Sequence, residues 1–146
     1  MKPSRARYLQ VALGLIGTQY LWGGRSRKGV DCSGTPILAL HEASGGKVDL
    51  RAGWWTERLW EELPMTEHPL PGDLVFYPGH TMLLLHNDAP WCRGGMVFGA
   101  SGGDSSTTSY ERAMEQGALV CVKRSIHYRD GFRGFRSVSP YLDEAA

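Results

Sequence analysis

The chain has few means of cross-linking itself. Its three cysteines, Cys32, Cys92 and Cys121, cannot all pair with one another, and none belongs to a CxxC. No Cys/His set has zinc-site spacing, so reduced thiols, no metal and no cofactor are expected. Charge of one sign is lacking too: 16 Lys+Arg against 15 Asp+Glu leave a formal net charge of +1. That balance removes the global electrostatic basis for a nucleic-acid partner. No apolar run reaches the length of a bilayer, which excludes membrane insertion by a helix. There is no internal repeat, and "GASGGDSSTTS" lacks the lysine and spacing of a phosphate-binding loop.

What is present fits one globular domain over residues 1–146, with 42% hydrophobic and 21% charged residues. Nineteen glycines and eight prolines predict short elements joined by many turns. Apolar positions at Tyr8, Val11, Ala12 and Leu15 have helical spacing, and this first segment reads as an amphipathic helix rather than a secretory leader. "PILALHEA" predicts a second helix that stops at Ser44-Gly45-Gly46. "WWTERLWEEL" predicts a third, with the tryptophans covering it and packing beside the sheet.

Beyond it the texture changes. "DLVFY" and "HTMLLL", separated by Pro78-Gly79, read as a hairpin. "MVFGA" and "ALVCVKR" read as two further strands, with Cys121 expected in the core. Helices first and strands afterwards predict an α+β domain, N-terminal helices packed on an antiparallel β-sheet. Arg124, Arg129, Arg133 and Arg136 read as a solvated strand edge and tail. The aromatic-glycine alternation of "GFRGF" is too short for a single-stranded nucleic-acid site.

The chemistry gathers around Cys32. It precedes the second helix, where unpaired N–H groups lower a thiol pKa, and small Ser33 and Gly34 leave the sulfur accessible. A nucleophilic thiol needs a base, and there are five histidines. His41 lies more than two turns along the same helix, His68 in a proline-rich loop, and His127 past the last strand. His86 stands roughly 20 Å from His80 along one strand at about 3.3 Å per residue. His80 opens that strand straight after the Pro-Gly turn, at the rim of the sheet.

"GTQYLWGGRSRKGVDCSG" followed by "LPGDLVFYPGH" resembles the NlpC/P60 family of cysteine peptidases. The likeness lies in an ordered set: Tyr and Trp before Gly-Gly, then Asp-Cys-Ser-Gly, then Pro-Gly-Asp opening a strand, then a histidine on the next strand. It spans residues 17 to 80. The resemblance implies a papain-like fold, Cys32 as nucleophile, His80 as general base, and Tyr20, Asp31 and Ser33 in the substrate pocket. Trp22, Gly23, Gly24 and Pro71-Gly72-Asp73 match positions that shape the fold. It further implies hydrolysis of peptidoglycan stem peptides, commonly between D-γ-glutamate and a diamino acid.

Two departures stand out. The link "LVFYPG" is shorter than usual in the family. The family's third polar residue, which holds the imidazole in its tautomer, falls on Gly99. Ser101 projects to the same face two residues on; Cys92, Asn87, a backbone carbonyl or a water are alternatives. Other functions consistent with the sequence are a thiol amidase or acyltransferase on the same fold, and a catalytically weak wall-binding or tail-structural domain. A bare catalytic domain without a leader fits a bacteriophage lysin or tail-associated peptidase, made in the cytoplasm and delivered to the wall by phage, tail proteins or a secretion machine. An enzyme trimming recycled wall peptides in the cytoplasm is a further setting.

Overall fold

The computed structural model describes residues 1–87 and 94–144. Helix α1 (Arg5–Leu13) starts where the Ser4 hydroxyl accepts the Arg7 N–H at 3.1 Å, and it buries Tyr8, Val11 and Ala12 on one face. Strands β1 (Arg25–Ser26) and β2 (Gly29–Val30) form a small antiparallel ribbon. Helix α2 (Gly34–Ala43) follows, buried from Gly34 to Leu40 because α1 packs against it and the sheet lies beneath. It ends in Gly45 and Gly46, both at positive φ. Helix α3 (Thr56–Glu62) buries Leu59.

Five antiparallel strands form the main sheet: β3 (Leu74–Tyr77), β4 (His80–His86), β5 (Met96–Ser101), β6 (Leu119–Lys123) and β7 (Gly134–Arg136), in the order β6-β5-β4-β3-β7. Helix α4 (Tyr110–Gln116) links β5 to β6, its start capped by the Ser109 hydroxyl. Alternate residues of β3 face opposite layers. Leu74 and Phe76 join the core shared with α1 and α2, while Val75 and Tyr77 join a second cluster with Met82, Leu84, Val97 and Ile126. The predicted helices on an antiparallel sheet are therefore observed, with a second covered face behind it.

Several sequence expectations change. Residues 134–136 are not a solvated tail: they pair with β3, and the guanidinium groups of Arg133 and Arg136 stack on the Trp60 ring at 4.2 and 4.0 Å. Arg133 also pairs with Glu57. Cys121 sits in β6 half-buried rather than in the core. The tryptophan expectation holds for Trp60, which packs on Phe76, and for Trp54, edge-on to Tyr141, while Trp55 is more than half exposed.

The Pro-Gly-Asp segment locks α1 to β3. Arg5 Nη1 donates to the Pro71 carbonyl and to the Asp73 carboxylate at 3.0 Å, and the Tyr8 hydroxyl donates to the Gly72 carbonyl at 2.8 Å. Asp73 also accepts the backbone N–H groups of Leu70 and Val138. A carboxylate so engaged is a structural anchor, and none of these groups lines the cleft described next.

Candidate active site

Chain geometry brings Cys32 to the end of the sheet. From β2 the chain turns through Asp31-Cys32-Ser33 into α2, with Ser33 at the cap but its side chain not capping. Asp31 caps instead: its Oδ1 accepts the buried Gly34 N–H at 2.7 Å, and its Oδ2 accepts the Gly23 N–H at 2.9 Å. Ser33 Oγ donates to the same carboxylate at 3.3 Å and accepts from Arg25 at 3.4 Å. One carboxylate thus joins the Gly23-Gly24 loop to the helix start, which is why both lie beside the thiol.

The Cys32 sulfur stands 3.4 Å from Thr56 Oγ1, and the backbone N–H groups of Ser33 and Thr81 point at it. Thr81 follows His80, so this contact seats the sulfur against the first residues of β4. The expected lowering of the thiol pKa is not what the site produces. Burial pushes it up, Asp31 adds to the rise, and the donors at Thr56, Thr81 and Ser33 offset only part of it. The helix start is effective against a solvated thiol; this one is 8% exposed.

His80 follows the Pro78-Gly79 turn, where Tyr77 pairs directly with it and Gly79 takes φ +65°. Its ring packs 5.7 Å from the Tyr77 ring. Nε2 lies 2.7 Å from the Tyr128 hydroxyl. Burial, and secondarily the positive charge of Arg129, push the imidazole pKa down to about 3. Burial thus favours the uncharged form of both the thiol and the imidazole.

Tyr128 is the site residue that sequence reasoning missed. It sits on a 3₁₀ turn (Ile126–Tyr128) after β6, where no local pattern relates it to His80. Ser101, expected beside the imidazole, interacts with the Tyr128 hydroxyl instead. Gly99 has no room for a side chain, since a β-carbon there would stand 2.8 Å from the Met82 sulfur. Asn87 turns away and donates to the Pro69 carbonyl; Cys92 lies outside the described residues.

Tyr20, Asp31, Cys32, Ser33 and His80 all line one cleft of about 710 Å³, which Trp55 and Arg129 also line. Tyr20 forms the wall because Gly103 lets it: a β-carbon at 103 would stand 2.5 Å from its ring. Among the described residues no cluster of His, Cys, Asp and Glu has the arrangement of a metal site. The cleft offers a sulfur, an imidazole and backbone donors, the parts of covalent acyl chemistry.

The NlpC/P60 family model matches residues 17–124. The chain is 36% identical over 85 residues to Dipeptidyl-peptidase 6 of Lysinibacillus sphaericus, a match covering 56% of this chain and 29% of that protein. It is 30% identical over 84 residues to Probable peptidoglycan endopeptidase LytE of Bacillus subtilis (strain 168), covering 53% and 24%. The matches thus span less than a third of either relative. Its fold is similar to the crystal structure of the NlpC/p60 domain of peptidoglycan hydrolase SagA, with TM-score 0.60 and 23% identity over 91% of this chain and 97% of that one.

Proposed function

The chain belongs to the NlpC/P60 family, and we propose that it is a cysteine peptidase that hydrolyses amide bonds of peptidoglycan stem peptides. The observation that carries this reading is that Cys32 and His80, far apart in sequence, both line a single cleft. The names of the two curated relatives, a peptidase and a peptidoglycan endopeptidase, support the substrate class.

The burial of both groups shapes the mechanism. With the thiol pKa raised and the imidazole lowered, proton transfer from Cys32 to His80 accompanies attack instead of preceding it. The sulfur bonds to the amide carbon while the carbonyl oxygen takes the negative charge, stabilised by the Cys32 N–H ahead of the first helical bond. Protonated His80 gives its proton to the leaving amine, and the C–N bond breaks to leave a thioester. His80 then deprotonates a water that attacks the thioester, the carboxylic acid leaves, and the thiol recovers its proton. Tyr20, Asp31 and Ser33 position the peptide. The bond cut, by family resemblance, is that between D-γ-glutamate and the diamino acid.

The test is digestion of purified sacculi with the fragments read by mass spectrometry. Fragments ending in free D-γ-glutamate support the reading and its bond; sacculi left intact at high enzyme concentration oppose it.

A further inference from the structure

We propose that Tyr128 is the positioning residue of His80, supplying from the turn after β6 the hydrogen bond to the imidazole that the family resemblance assigns to β5. This rests on the reading of His80 as the base. On β5 the register that pairs Leu83 with Phe98 sets Gly99 against Met82 and Ser101 across from His80, and Ser101 interacts with the Tyr128 hydroxyl. The direct partner of His80 is Tyr128, at 2.7 Å.

Tyr128 is held for this task. The buried Tyr77 hydroxyl donates to the Ile126 carbonyl at 2.6 Å, which fixes the turn, and the Ile126 N–H donates to the Gly95 carbonyl at 2.9 Å. The Tyr128 ring stands edge-on to Tyr77, centroids 5.7 Å apart, with the Lys123 ammonium 5.5 Å from its centre. Tyr77, His80 and Tyr128 form one aromatic cluster in which the imidazole has little freedom to turn.

Hydrogen-bond arithmetic then ties the tautomer to where the Tyr128 hydrogen goes. A tyrosine hydroxyl has one hydrogen and two lone pairs, and a guanidinium only donates. Arg129 interacts with this oxygen as a donor, and Ser101 can donate or accept. When the Tyr128 hydrogen goes to Ser101, the remaining lone pair accepts the hydrogen of His80 Nε2. Nδ1 is then bare and able to take the Cys32 proton. The arrangement persists when the ring becomes imidazolium, because Nε2 keeps its hydrogen throughout.

The experiment is Tyr128→Phe, which keeps the ring and deletes the hydroxyl, read in two ways. Nitrogen-15 correlation spectra of the imidazoles, with His80 assigned by comparison with His80→Gln, report its tautomer without any substrate. The Nε2–H form is expected to dominate in the wild type and to lose its dominance in Tyr128→Phe. On stem peptide, kcat is expected to fall about tenfold with KM unchanged, less than the roughly hundred- to ten-thousandfold of a missing general base. Ser101→Ala, removing the acceptor of the tyrosine hydrogen, is expected to shift the tautomer in the same direction. An unchanged His80 tautomer in Tyr128→Phe overturns the proposal whatever happens to the rate. If the wild type cleaves no stem peptide, the peptidase reading fails while the tautomer still decides the role of Tyr128.

Discussion

Gly34 and Gly24 touch so closely that a β-carbon on Gly34 would lie 2.1 Å from the Gly24 carbonyl oxygen. This contact closes the loop that follows Tyr20 and Trp22 onto the first turn of α2. Gly24 is itself pressed against the Gly29 carbonyl. The spacing between the Gly-Gly pair and Asp-Cys-Ser-Gly is therefore a packing constraint: two backbones meet with no side chain between them, and Cys32 is placed by that meeting.

Gly34→Ala is expected to destabilise the protein by about 3 kcal/mol or more, because the clash is with backbone and no rotamer relieves it. Chemical denaturation measures this directly. A loss under 1 kcal/mol would mean that the loop shifts freely away from the helix.

Asp31 carries a second expectation. Asp31→Ala removes the acceptor of the Gly23 and Gly34 N–H groups and is expected to cost about 2–4 kcal/mol, a lost cap plus an unsatisfied buried donor. Asp31→Asn retains one carbonyl oxygen and is expected to lose roughly half as much. Equal losses in thermal or urea melts would show that charge rather than the paired acceptors matters.

The protonation state of the thiol is open to alkylation. With burial pushing the Cys32 pKa above its ordinary value, carbamidomethylation of the Cys32 peptide, followed by mass spectrometry, is expected to keep accelerating beyond pH 9. A rate that levels off below pH 7 would instead reveal a thiolate–imidazolium pair in the free protein.

His80 links stability to pH. Its imidazole titrates at about 3 in the folded protein against 6.5 unperturbed. Between those values the unfolded chain binds the extra proton, so stability contributed by this group is present above about pH 6.5 and lost as pH falls toward 3. The expected slope is at most about 1.4 kcal/mol per pH unit over that window. Urea melts of wild type and His80→Gln across it isolate the contribution; identical slopes would place His80 in solvent.

Local patterns were readable where neighbours in sequence are neighbours in space. Pro78-Gly79 sets the hairpin that delivers His80, and the polar, glycine-rich Ser44-Gly45-Gly46 ends α2. That Cys32 and His80 line one cleft was legible only through the ordered motifs, since no periodicity relates α2 to β4. Three features escaped for physical reasons. Strand β7 is three half-buried residues whose register depends on β3. Tyr128 meets His80 across 48 residues through a turn held by Tyr77. The rise in the thiol pKa follows from how completely Thr56 and β4 cover the sulfur, which is a property of the packed molecule.

The most direct test of the account is turnover of a defined stem peptide by wild type, Cys32→Ala, His80→Ala and the double variant. The account predicts that each single substitution abolishes nearly all hydrolysis and that the double variant is no worse than either, because sulfur and imidazole act as one unit. Hydrolysis by Cys32→Ala at an undiminished rate would contradict it, and would move the chemistry to another wall of the cleft.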